Sequence, residues 1–272
     1  MTEFRSIEFL YARDGEFFVP TEVGGSPWHP SVLHGGTATG LLGHAVEALV
    51  PPGYVVTRLT MDLVRPVPKA PLAVSAKVAR DGSRLKVIEV DVTHNGKTVC
   101  RAAAVLIKAM KITLPDYAPV PHAPPPGPEG LVKFSIQEML DAKGLSIPRG
   151  LHSRVEVYAK ELWAERGRNM SWLRLPVEIV QGEPLTPFSR VCLLCDLGNG
   201  VAQLNLGNAV GMINADVTLS LFRLPAGEWI GFESEAQVQP TGTGIVHSTL
   251  YDAAGSFGYV LQSVMANGEF AG

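Results

Sequence analysis

The chain has 272 residues, of which 46% are hydrophobic and 18% charged, and a formal net charge of -3. That length suits two domains of about 100–150 residues, and the apolar fraction is enough to build a core. No run of Lys or Arg is present, which argues against a nucleic-acid partner. The first residues, Met1–Glu16, carry charges where a secretory leader needs an apolar stretch. The apolar run Leu41–Val50 is broken by His44 and Glu47, and no segment approaches the ~20 apolar residues of a membrane span. A cytoplasmic protein is expected, and the odd set Cys100, Cys192 and Cys195 fits a reducing compartment. Cys192 and Cys195 form C-L-L-C, which reads as a packed helix rather than as a redox pair or half of a metal site.

In chain order, Ile7–Val19 alternates around Asp14-Gly15 and predicts a hairpin. A loop follows, and Thr37–Leu49 has helical periodicity up to Pro51-Pro52-Gly53. Val55–Val64, Leu72–Arg80, Leu85–Thr93 and Thr98–Met110 read as strands, with Asn95-Gly96 a strong hairpin signal. Pro115–Pro128 contains seven prolines and predicts an extended linker. Phe134–Lys143 has the spacing of a short helix that Gly144 would end. Arg154–Leu162 and Trp172–Val180 are strand-like. Pro187–Leu197 is helical, with Thr186 as its N-cap. The strands Ala215–Leu224, Trp229–Val238, Ile245–Tyr251 and Phe257–Met265 close the chain.

One helix followed by four antiparallel strands thus occurs twice. Thr60–Pro66 (TMDLVRP) mirrors Thr218–Pro225 (TLSLFRLP), and His94–Val99 mirrors Ala253–Gly258. The reading is an α+β fold of two repeats, each a helix wrapped by an antiparallel sheet. Residues 1–112 form the first unit, 113–130 the linker and 131–272 the second.

These residues resemble the double-hotdog acyl-CoA thioesterase II family of bacteria. The resemblance is carried by His34-Gly35-Gly36 before the first helix, Arg65-Pro66 after a strand, and Asp196 late in the second helix. Asn214 opening a strand, Gln262 in the last strand and the LPAGEW break ending at Trp229 complete it. It implies hydrolysis of an acyl-CoA with Asp196, Asn214 and Gln262 as catalytic residues. It needs no metal or bound cofactor, since CoA enters as part of the substrate. Model members of the family carry Thr where this chain has Asn214; Asn also donates and accepts hydrogen bonds and could hold a water.

The chemistry suits these residue types. A carboxylate can take a proton from an attacking water, or hold it ready. Glycines at a helix N-terminus leave backbone N–H groups open to a thioester oxygen, which assigns His34, Gly35 and Gly36 to oxyanion or substrate binding. Each assignment has a plainer rival. Asp196 could simply end its helix, Gln262 could face outward, Asn214 could bond its own backbone, and the glycines could be a flexible entry to the helix. Asp216 competes as the site carboxylate, and His44 reads as a packed or surface residue. Aligning the repeats sets His44 against Asp196, Val56 against Asn214 and about Ala103 against Gln262, so the polar trio belongs to the second half alone. Arg80, Lys86 and Lys108 are cations that could meet CoA phosphates. No G-x-S-x-G elbow, nucleotide loop or zinc spacing is present. Two other functions remain open: a hydratase or dehydratase of 3-hydroxyacyl thioesters using His34 or His44 with Asp196, and a non-catalytic acyl-CoA binder. Duplication supplies within one chain the pair that single hotdogs obtain by dimerising, so a homo-oligomer is allowed but not required.

Overall fold

The structure is a computed structural model that describes residues 7–142, 147–161, 167–204, 206 and 211–268. It confirms the α+β double hotdog. The first half contains the hairpin β1 (Glu8–Asp14) and β2 (Phe17–Pro20), then helix α1 (Gly35–Glu47). Strands β3 (Tyr54–Asp62), β4 (Leu72–Asp81), β5 (Leu85–His94) and β6 (Lys97–Lys108) follow. The β5–β6 turn has Asn95 at φ 49° and Gly96 at φ 72°, the left-handed pair that a tight hairpin turn requires.

The second half opens with β7 (Val132–Phe134), short helix α2 (Ile136–Ala142), β8 (Glu156–Ala159), β9 (Arg168–Arg174) and β10 (Val177–Val180). Helix α3 (Pro187–Leu194) runs through a 3-10 turn, Cys195–Leu197, into the single turn α4 (Gly198–Val201). Strands β11 (Gly211–Leu221), β12 (Ile230–Val238), β13 (Thr243–Asp252) and β14 (Gly255–Asn267) complete it. The expected end of α2 at Lys143 and Gly144, and the strand end at Leu162, lie outside the described residues. Among the described residues, no helix is long and apolar enough to cross a membrane.

The fourteen strands of the described residues join one sheet, ordered β10-β1-β2-β4-β5-β6-β3-β11-β14-β13-β12-β9-β8-β7. The halves meet at the antiparallel pair β3–β11, where Thr60 lies opposite Thr218 and their hydroxyls are 3.2 Å apart. These are the two threonines that open the matching sequence segments, so the repeat axis passes through them. The same register sets Val56 against Asn214 and places Ala104 against Gln262, one residue from the expected Ala103.

Two expectations need correction. Trp172–Val180 is two strands, not one, because Pro176 has no N–H to give to a ladder. The sheet is also not antiparallel throughout. Strand β10 leaves its own half and pairs in parallel with β1, with Glu8 opposite Val177 and Tyr11 opposite Val180.

Helices α1 and α3 pack together inside the wrapped sheet, and one main core draws on both halves, beside a small separate cluster of Ala202, Val246 and Val264. Small residues make the helix packing close: a Cβ on Gly43 would overlap the Cys192 side chain. Cys192 and Cys195 are buried free thiols, and burial raises both above the ordinary thiol range, in keeping with the packing reading of C-L-L-C. Between the halves, the chain is tied to the second one. His122 and Ser256 exchange two hydrogen bonds of 2.9 Å, and Trp172 Nε1 donates to Pro126 O at 2.7 Å.

Candidate active site

The pattern of β14 decides which way Gln262 faces. Buried and exposed residues alternate along the strand, and Gln262 falls in phase with Val260 and Val264, so it is wholly buried. Asp196 lies in the 3-10 turn that continues α3 and is only 7% exposed. Gln262 Nε2 donates to the backbone oxygen of Asp196 at 2.9 Å. Asn214 Nδ2 donates to the Asp196 carboxylate at 2.7 Å and to its backbone oxygen at 3.0 Å. A bulge between Asn214 and Asp216 shifts the strand register, a device that re-aims side chains. The three residues expected to act together are therefore in direct contact. Asp196 stands at the end of α3 but is buried rather than exposed, Gln262 faces inward, and Asn214 bonds to Asp196 rather than to its own backbone.

The first half delivers the N-terminus of α1 to the same carboxylate. His34 is the N-cap, and its Nδ1 accepts the Gly36 N–H at 3.0 Å. That nitrogen is also 3.2 Å from Asp196 Oδ2. One ring nitrogen thus has two alternatives: unprotonated it caps the helix, and protonated it donates to the carboxylate. Gly35 is required by closeness, since a Cβ there would overlap the carboxylate itself. Burial by itself pushes the Asp196 carboxyl up. The hydrogen bond and charge of His34, the Asn214 amide and the Gly36 N–H outweigh it and hold the group below the usual carboxylate range. The positive end of the α1 dipole acts in the same sense.

Other candidates fall elsewhere. Asp216 accepts the Ser263 backbone N–H at 2.9 Å on an exposed part of the sheet. His44 is 3.6 Å from Glu183 and edge-on to Phe18; burial lowers its pKa against the raising effect of Glu183. Lys86 pairs with Asp81 and lies over the Tyr54 ring. His152 was not anticipated. It follows Leu151 in a short 3-10 turn, is 4% exposed, and stacks on His34 with ring centroids 6.3 Å apart. Burial, with His34 and Arg154 adding to it, pushes its pKa down to about 3. Nothing in its sequence surroundings marks it, because a loop residue has no periodicity to read.

Two buried amide oxygens beside Asp196, Asn214 Oδ1 and Gln262 Oε1, receive no hydrogen bond among the described residues. Buried acceptors of this kind are costly unless something donates to them.

Residues 25–111 match the acyl-CoA thioesterase N-terminal domain, and residues 119–266 match the acyl-CoA thioesterase C-terminal domain. The chain belongs to the acyl-CoA thioesterase family. No curated protein matches it at a significant level. Among solved structures, the chain is similar in fold to an acyl-CoA thioesterase II from Mycobacterium marinum. That match has 17% identity and a TM-score of 0.61, covering 85% of this chain and 90% of that one. A conserved hot dog-fold protein of unknown function from Alicyclobacillus acidocaldarius is similar at 16% identity and a TM-score of 0.69, covering 94% and 95%. The dehydratase domain of the CurJ module of curacin polyketide synthase is similar at 11% identity and a TM-score of 0.54, covering 87% and 83%. The family's two domains and the fold's two halves thus agree, and the polar trio of the family member described here lies where they meet.

Proposed function

We propose that the protein is a thioester hydrolase acting on acyl-CoA, with Asp196 as the group that activates water. The observation that carries this reading is the Asp196 carboxylate. It is buried, ionised and held between the amides of one half and the helix N-terminus of the other. One O–H of a water is held by Asn214 Oδ1 or Gln262 Oε1, and the other faces Asp196, which takes that proton as the water oxygen attacks the thioester carbon; the C–S bond then breaks, and the CoA thiolate leaves with the proton returned from Asp196. The oxyanion forms at the start of α1. The Gly36 N–H is already engaged by His34 and Asp196, so Gly35 is the better donor of the two. The reaction draws on side chains and backbone alone, and CoA enters and leaves as substrate and product. All these groups lie within one chain, so further self-association is not needed for the site.

A second reading is favoured by the 3.2 Å approach of His34 to Asp196. Such a pair could move protons in hydration or dehydration of a 3-hydroxyacyl thioester. Gln262 counts against it, since an amide is neither acid nor base at neutral pH. A panel of acyl-CoAs assayed with a thiol reagent separates the readings. Hydrolysis releases free CoA thiol at each turnover. Consumption of a 2-enoyl-CoA without thiol release favours the hydratase, and ligand depletion without turnover leaves only a binding protein.

A further inference from the structure

We infer that the cavity between Glu22–Gly24 and Pro148–Arg154 receives the phosphate groups of CoA, with Lys69 and Arg149 as the recognising cations. This rests on the acyl-CoA reading above. The cavity measures about 240 Å³ and is lined by Lys69, Arg149, Arg154 and Glu22 around the backbone of Gly25 and Gly150. The same two chain segments build the neighbourhood of Asp196. His34 N donates to Gly24 O at 3.0 Å, Leu151 N donates to Gly25 O at 3.1 Å, and His152 stacks on His34. One wall therefore separates the cavity from the residues that touch the carboxylate. The pantetheine arm of CoA keeps its phosphates well away from its thioester, so a substrate whose thioester meets Asp196 needs a basic surface on the far side of such a wall.

The charges are arranged for exchange. Arg149 is largely exposed and only 4.0 Å from Asp141, a loose pairing. Lys69 Nζ is 2.7 Å from Glu22, but that carboxylate is 87% exposed, and such pairs contribute little. A phosphate brings more charge and more acceptor oxygens than Glu22 and can replace it. Arg154 is gripped by both oxygens of Glu8 at 2.7 and 2.9 Å, and we assign it to holding the wall in place. A second cavity of about 300 Å³ lies beside the far ends of α1 and α3, lined by His44, Glu47, Glu183, Thr186 and Ser189 among others. It has no Lys or Arg, and its carboxylates repel phosphate. Of the two cavities, the basic one is at the end of the helix pair that carries Asp196.

The test compares one acyl group carried on CoA and on pantetheine, which lacks the phosphates of CoA. Lys69→Gln with Arg149→Gln is expected to raise KM for the acyl-CoA about tenfold or more, with kcat retained and the acyl-pantetheine unaffected. Glu22→Gln is expected to lower KM for the acyl-CoA alone. Equal effects on both substrates, or none on either, overturn the proposal. If the wild-type protein hydrolyses neither, the thioesterase reading fails, and calorimetric titration with CoA decides the phosphate site separately. Weaker CoA binding by the double variant, again about tenfold or more, upholds it; unchanged binding overturns it.

Discussion

Replacing the Asp196 carboxylate with an amide tests the site at its centre. Asp196→Asn keeps the shape and the Asn214 contact but cannot take a proton. On the proposed mechanism, kcat falls by about 10²–10⁴-fold with KM little changed. Gln262→Ala costs less, since it anchors the turn and orients water. Asp216→Asn, on the exposed part of the sheet, leaves the rate intact; its loss together with survival of Asp196→Asn would place the chemistry on the wrong acid. Asp196 and Gln262 were legible because an acid at a helix end and an amide in an apolar strand stand out as residue types. His152 was not, since its role comes from ring contact across the fold. It also makes a signed claim about pH. Its pKa is about 3 in the folded protein against 6.5 for an ordinary His, so the unfolded chain binds more protons between those values. Stability is full above about pH 6.5 and falls as pH drops toward 3. His152→Phe keeps a stacked ring and removes the titration. Its Tm therefore declines less between pH 7 and pH 4 than that of the wild type, as read by thermal melts.

The strands and turns around the helices were largely visible because alternation and turn residues agree, as at Asn95-Gly96. What escaped was β7, a strand of three residues, and the division of Trp172–Val180 at Pro176. Its second part is fixed by β1, a distant partner that no local pattern announces. The helix ends give two contrasting tests. Gly35→Ala puts a methyl where the Asp196 carboxylate sits, so turnover drops by tenfold or more while circular dichroism stays native. At the opposite end of the pair, Thr186 caps α3 by accepting the Ser189 N–H at 3.0 Å and donates to Glu47 at 2.8 Å. Thr186→Ala is expected to lower stability by about 0.5–2 kcal/mol in denaturant unfolding and to leave kcat close to wild type.

The whole molecule was foreseen as two joined repeats, and its sheet is more continuous than that picture. Cleavage within Pro115–Pro128 is expected to leave both pieces together in gel filtration, because β3 stays paired with β11 and β1 with β10. The same pairings set an order on biosynthesis. Strand β1 is made long before its neighbour β10, at Val177–Val180, and β3 waits almost as long for β11. Contacts so far apart in the chain slow folding. Until they form, the emerging first half carries two unsatisfied strand edges, which invite pairing with another nascent chain. A fragment ending at residue 112 should accordingly self-associate as its concentration rises, whereas the complete chain, with both edges covered from within, should not do so through them.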